Sequence, residues 1–280
     1  MNVTTIDDAY TLCRRIAHQH GANFSVGFRF LPRQKRRAVY AAYAYCRWAD
    51  DIADEPRGDV SKNLDQWQCE LDRCYNGKPS HPITLALADA LRSFPIPKSA
   101  FVALIDGCRL DLVKTRYATF SELLKYCELV AASISDISLA IFGYRSPAAV
   151  EHGRNLATAL QLTNVTRDIG DDLARDRVYI PQDELCRFGV TRFAASAEMR
   201  SLIEFQIDRA ESYFRAAEPL IRELSFDARF PVLLMGGIYA TVLKRLRRDP
   251  LIVLRERLKL SPLQKSAVVF ARLLRPRFVS

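Results

Sequence analysis

The chain reads as an all-α protein, and three features of the sequence say so. Apolar residues recur at helical spacing along all 280 residues, β-branched alternating runs are few, and Pro, Gly and Asn punctuate the periodic segments. The composition, 49% hydrophobic and 26% charged with only 11 Gly, is that of a folded globular chain and excludes disorder. No Pro/Gly/Ser-rich linker, low-complexity tract or repeat divides the sequence, so residues 1–280 are expected to form one domain.

The first strong helix is expected from about Pro32, a good first-turn residue, through QKRRAVYAAYAYCRWADDIADE to a stop before Pro56. Periodicity then predicts helices over Val60 to Tyr75, Pro82 to Ser93, Lys98 to Lys114, and Thr119 to Phe142, with Gly143 as the stop. Ser146-Pro147 reads as an N-cap followed by a first-turn proline, opening the helix that reaches NVTRDIGDDLARDRVYIP. Short helices follow, then a long one from about Ala194 to Ser225, and basic C-terminal helices from near Phe230.

Two Asp-x-x-x-Asp pairs, Asp50/Asp54 and Asp168/Asp172, lie on two of these helices. A spacing of four places both carboxylates on one helical face. On the first helix Tyr43, Arg47, Asp50 and Asp54 form one row, and on the second Gln161, Asn164, Asp168 and Asp172 do the same. The second row borders an apolar stripe of Leu162, Val165 and Ile169, whereas a purely solvated face would lie opposite it. Such rows are expected to line an interior cleft, where four converging carboxylates need cations between them. Hard oxygen donors suit Mg²⁺, which keeps waters and completes its shell with substrate phosphate, so a diphosphate substrate is expected. Asp51, Asp171 and Asp176 fall off the rows and read as exposed or supporting charges; Arg47 and Arg167 read as partners of carboxylates or of phosphate.

The seven cysteines are scattered with no C-x-x-C pair, which predicts reduced thiols in a cytoplasmic protein and no zinc site. The N-terminus lacks the apolar core of a signal peptide, and the stretch from Phe230 to Leu243 falls short of the roughly 20 residues a membrane span needs. The net charge of +9 resides in one segment, since residues 241–280 carry 11 Lys/Arg against 2 Asp/Glu. A basic segment of this kind can meet an anionic substrate, an anionic membrane surface or nucleic acid. No nucleic-acid motif accompanies it, so nucleic acid is the least favoured partner; peripheral contact with the inner face of a membrane is a separate expectation.

At these residues the chain resembles the squalene/phytoene synthase family of head-to-head prenyl transferases. FLPRQKRRAVYAAYAYCRWADDIADE is similar to the family's first aspartate region, and LATALQLTNVTRDIGDDLARDRVYIPQDEL to its second, with the signature Q-x-x-N-x-x-R-D-x-x-x-D followed by R-x-Y-x-P. DLVKTRYATFSELLKYCELVA resembles the family's central helices. The resemblance implies a helical bundle around a central cavity, the class I isoprenoid synthase fold. It implies that Asp50 and Asp54 bind Mg²⁺ and one substrate diphosphate, that Asn164, Asp168 and Asp172 serve the other, and that Arg47, Gln161, Arg167, Arg257 and Lys265 hold diphosphate oxygens or water. Phe24, Phe28, Tyr43 and Tyr239 become candidates for the cavity wall, with Tyr239 also at the reaction centre.

The implied reaction couples two farnesyl diphosphates to presqualene diphosphate and onward to squalene, dehydrosqualene or hydroxysqualene; the alternative is phytoene, a carotenoid precursor, from two geranylgeranyl diphosphates. No G-x-G-x-x-G fingerprint is present and a reductive member would not need one, so the sequence leaves NADPH use open. Relatives often carry serines just before the first helix, where this chain has His20, Asn23 and Ser25; its N-F-x-V pattern resembles hopanoid-associated C30 enzymes. A class I terpene cyclase and a non-catalytic, membrane-surface helical protein are the competing readings.

Overall fold

The computed structural model describes residues 5–20, 24–54, 58–274, 277 and 278, with the side chains of residues 24 and 25 excepted. Among the described residues fifteen α-helices run in chain order: α1 Ile6–His20, α2 Phe24–Phe28, α3 Arg33–Asp54, α4 Val60–Tyr75, α5 Pro82–Leu91, α6 Lys98–Val113, α7 Phe120–Cys127, α8 Ser133–Phe142, α9 Ala148–Arg167, α10 Ile169–Leu173, α11 Gln182–Arg187, α12 Ala197–Ala217, α13 Leu220–Glu223, α14 Phe226–Arg248 and α15 Pro262–Leu274. Among the described residues no strand forms, and two isolated bridges, Arg116 with Val178 and Tyr144 with Leu224, are the β-type pairs. Buried apolar side chains from α1 to α15 join one connected core.

Local chemistry sets most boundaries where the sequence places them. Asp59 accepts from the Lys62 amide at 3.0 Å to open α4, and Ser146 Oγ accepts from the Ala148 amide at 3.2 Å ahead of α9. Gly143 closes α8 at φ +74, a left-handed position that favours glycine. The alanines Ala38, Ala41, Ala42, Ala44 and Ala49 of α3 are buried and let α1 and α5 pack closely on it.

Five expectations are revised, the first being the long helix from Ala194 to Ser225, which is divided at Pro219 into α12 and the short α13. The helices α1 and α2 precede Pro32, where no element was expected. The span from Thr119 to Phe142 is not one helix, because a π-helical turn at Glu128–Ala132 separates α7 from α8; Val130 packs here on α6 beside Gly107, where a Cβ would stand 2.5 Å from Val130 Cγ1. The helix carrying the second aspartate pair ends at Arg167, and Asp168 (φ −100, ψ 11) leads into the separate short α10. The apolar stretch near Phe230 belongs to the 23-residue α14, which has the length and hydropathy to cross a bilayer; 61% of its most apolar window is buried within the bundle, against α2, α9, α12 and α15.

Candidate active site

The helices α3 and α9 form facing walls of one cavity of about 480 Å³. On α3 the lining residues run from Val39, Ala42 and Cys46 to Arg47, Asp50 and Asp54; on α9 and α10 they run from Leu156, Ala157 and Leu160 to Gln161, Asn164, Asp168 and Asp172. Both walls therefore change from apolar to polar in the same chain direction. From Val39 to Asp54 this gradient spans roughly 22 Å at 1.5 Å per residue. Phe28, Ile141, Phe142, Leu220 and Leu224 extend the apolar wall. Arg175 and Arg257, with side chains 63% and 44% exposed, mark the polar end as the open one.

Five aspartates (Asp50, Asp54, Asp111, Asp168, Asp172) and five arginines (Arg47, Arg167, Arg175, Arg177, Arg257) line the cavity. Asp168 is gripped twice by bidentate guanidinium groups. Arg167 donates Nε and Nη2 to its two oxygens at 2.6 and 2.5 Å, and Arg257 donates Nε and Nη2 at 2.9 Å each. Arg177 donates to Asp54 at 3.3 Å, and Arg175 lies 3.8 Å from its other oxygen. Arg47 pairs with Asp51, off the row, and its buried Nε has no partner. Tyr126 and Tyr179 donate to Asp111 at 2.8 and 2.9 Å. The buried Tyr239 hydroxyl lies within hydrogen-bonding reach of Asn164 and Arg167.

The four row carboxylates line the cavity but do not converge as the sequence suggested. Among the described residues no three His, Cys, Asp or Glu side chains lie close enough to form a ready-made metal cluster. Like charges separate, and arginines have taken up Asp54 and Asp168. The donor set still fits Mg²⁺, which needs one or two carboxylates per ion together with water and phosphate oxygens. Two observations favour that fit. The buried Asn164 Oδ1 has no hydrogen-bond partner. Asp50 and Asp172 have less positive charge near them than their burial requires: burial outweighs Arg47 at Asp50 and, with Asp168, outweighs Arg177 and Arg175 at Asp172, pushing their pKa up to about 6 and about 7.

These shifts carry a signed prediction. A carboxyl whose folded pKa lies above its unfolded value favours folding while protonated and loses that advantage as pH rises. For Asp172 the window runs from its ordinary 3.8 to about 7. Asp172→Asn cancels other titrations in the comparison, so the thermal midpoint of metal-free wild type should fall relative to Asp172→Asn between about pH 4 and 7 and then level off. A difference independent of pH would remove the charge-deficit argument.

Of the other sequence candidates, Phe28, Tyr43, Arg47, Gln161, Asn164, Arg167 and Arg257 line the cavity. His20 is exposed at the end of α1, Lys265 sits half-buried on α15 and Tyr239 is buried on α14 behind Asn164 and Arg167, and none of the three is among the lining residues. Asn23 lies outside the described residues, as does the side chain of Phe24. Sequence reasoning missed Cys108, whose thiol lies 3.5 Å from Asp50, as well as Asp111, Arg175, Arg177 and Tyr179. Arg177 and Tyr179 were within reach, since they are the lettered positions of R-x-Y-x-P; Asp111 carries no spacing that marks it.

Known proteins resemble this chain in sequence and in fold. The family model for squalene/phytoene synthase matches residues 17–264. A 15-cis-phytoene synthase of Synechococcus elongatus is 33% identical over 91% of this chain and 89% of its own. A phytoene synthase of Mycobacterium tuberculosis is 36% identical over 97% and 92%. Among solved structures, a dehydrosqualene synthase in complex with ligand superposes with a TM-score of 0.89 at 27% identity, covering 95% of each chain. Squalene synthase HpnC from Alicyclobacillus acidocaldarius superposes with a TM-score of 0.83 at 31% identity, covering 87% of this chain and 95% of that one.

Proposed function

The chain belongs to the squalene/phytoene synthase family, prenyltransferases that join two prenyl diphosphates head to head, and from that premise we propose that it couples two farnesyl diphosphates to presqualene diphosphate and on to a C30 product. The observation that carries the reading is the polarity gradient of the cavity. An apolar interior beneath an end set with carboxylates and arginines is complementary to a molecule with an oily tail and a diphosphate head. The C30 choice is supported by the names of the two neighbours, dehydrosqualene synthase and squalene synthase.

Mg²⁺, held by Asp50, Asp54, Asn164, Asp168 and Asp172, would supply positive charge to the leaving diphosphates. The rest of the chemistry belongs to the chain. Arg47, Arg175, Arg177 and Arg257 stand on the cavity wall where diphosphate oxygens would collect charge as the carbon–oxygen bond breaks. Val39, Leu156, Leu160 and their neighbours exclude water from the allylic cation, which the double bond of the second substrate then attacks; the resulting carbocation loses a proton, for which the departed diphosphate can be the acceptor, as the cyclopropane ring closes. Tyr239, buried between Asn164 and Arg167, fixes those two side chains at the second diphosphate.

A second reading, geranylgeranyl diphosphate to phytoene, is favoured by the names of the Synechococcus and Mycobacterium relatives. Mass spectrometry of products from each donor with Mg²⁺, with and without NADPH, tests both. A C30 product from farnesyl diphosphate is the expected result. A C40 product alone would move the assignment to phytoene, and a cyclic C15 product would overturn head-to-head coupling.

A further inference from the structure

The last helix leaves an apolar row on its outer side. Leu263, Ala267, Phe270 and Leu274 follow one another on α15 at spacings of four, three and four, a single row, and that row faces out. Leu263 and Leu274 are each 84% exposed, Phe270 is 68% exposed, and Leu273 beside them is 62% exposed. On the opposite side Val268 and Arg272 are buried. Arg272 lies along α14 against Gly237, where a Cβ would come within 2.5 Å of its Nε, and it donates to the Arg277 carbonyl. A surface helix ordinarily buries its apolar stripe and shows its charges. Here Val268 and Arg272 go inward together, and a second apolar row is left facing out.

Cations occupy the segments next to the exposed row. Arg255 and Lys259 precede the helix, Arg277 follows it, and Lys244 and Arg248 project from the end of α14. That end lies beside the start of α15, for Arg245 donates to the Lys259 carbonyl and to Gln264 Oε1, each at 3.2 Å. Glu256 and Asp249 are the acidic residues of this region, and Asp249 is already paired with Arg255.

We propose that the exposed face of α15 docks on an anionic lipid bilayer, with Leu263, Phe270, Leu273 and Leu274 entering the interface and the flanking Lys and Arg meeting lipid phosphates. Apolar side chains rimmed by cations match an acidic membrane surface in both respects. A second copy of the chain fits less well. One face of a 13-residue helix, about 20 Å long and 10 Å wide, offers roughly 200 Å², against about 800 Å² per partner in a stable dimer. The helix starts five residues after Arg257, which holds Asp168 at the open end of the cavity. The benefit rests on the coupling reading, since an oily product leaving that end would meet lipid; the docking itself does not.

Flotation of the purified full-length protein with phosphatidylcholine vesicles, with and without phosphatidylglycerol, tests the docking without any substrate. The protein should float with the anionic vesicles and progressively less so as salt is raised. Phe270→Ser/Leu274→Ser should lower partitioning about tenfold or more, and Lys259→Glu severalfold, with circular dichroism and detergent-phase turnover unchanged. Absence of flotation, or equal flotation of wild type and the double variant, overturns the proposal. So does a wild-type dimer in sedimentation velocity that the double variant abolishes, because the face would then belong to a second copy.

Discussion

Asp50→Asn is expected to lower kcat/KM by about 10³-fold or more while raising the stability of the metal-free protein at pH 8. The two effects have one cause. Asp50 lines the polar half of the α3 wall with a thiol, Cys108 Sγ at 3.5 Å, as its hydrogen-bond partner. Arg47, the nearest cation along the row, is paired with Asp51 and offsets only part of the cost of burying Asp50. Burial therefore pushes Asp50 up to about 6, and at pH 8 the folded metal-free protein carries an ionised carboxylate that it holds less comfortably than the unfolded chain does. An amide of the same shape removes that cost, and it also removes the negative charge that would recruit a cation to the diphosphate. Asp176→Asn is the control. Asp176 is off the rows, its side chain is 85% exposed, and its φ of 56 suits asparagine as well as aspartate. Its turnover should stay within about twofold of wild type, as a surface ion pair with Arg116 contributes little. Product formation by mass spectrometry and thermal melts in chelator read both effects. Turnover of Asp50→Asn within tenfold of wild type would dissolve the assigned role.

Periodicity and spacing disclosed much of this site in advance. Each row is a local property, decided by 3.6 residues per turn, so Tyr43 with Asp54 and Gln161 with Asp172 could be placed on single faces from the letters alone. That both rows face one cavity depends on how α3, α8 and α9 pack; the apolar stripe beside the second row pointed to an interior cleft, and the family resemblance implied a central cavity. The break at Asp168 escaped notice because TNVTRDIGDD contains no proline, and the glycine within it is compatible with a continuous helix. Hydrogen bonding continues across the break, with the Asp172 amide donating to the Asp168 carbonyl at 2.8 Å, so the periodic pattern survives a change in backbone direction. The π-helical turn at Glu128–Ala132 was hidden for a similar reason, since its extra residue shifts the phase only briefly. Arg177 reached Asp54 across 123 residues of sequence, a pairing that depends on tertiary structure alone.

Gly170→Ala gives a prediction whose sign separates two physical effects. In an isolated helix, alanine is more favourable than glycine by about 1 kcal/mol, so propensity alone predicts stabilisation of α10. The structure predicts the opposite. A Cβ at Gly170 would stand 2.6 Å from the carbonyl oxygen of Val253, and that atom belongs to the backbone of the 3-10 turn Pro250–Leu254 rather than to a side chain able to swing away. Val253 is itself buried, so the turn has no room to retreat without disturbing the core. Relief must come from separating α10 from the turn. The chain leaving that turn carries Arg257, which clasps Asp168, and Gly170 lies two residues from both Asp168 and Asp172, so Asp168 would shift against Arg257 and Asp172 would move with it. Overpacking of this kind costs about 1–3 kcal/mol, which exceeds the gain in propensity. Gly170→Ala should therefore lower the urea midpoint and reduce kcat/KM at least tenfold, and Gly170→Val should be worse on both counts. A midpoint raised by Gly170→Ala would mean that α10 and the turn are not in contact as drawn, and the placement of Arg257 over Asp168 would fall with it.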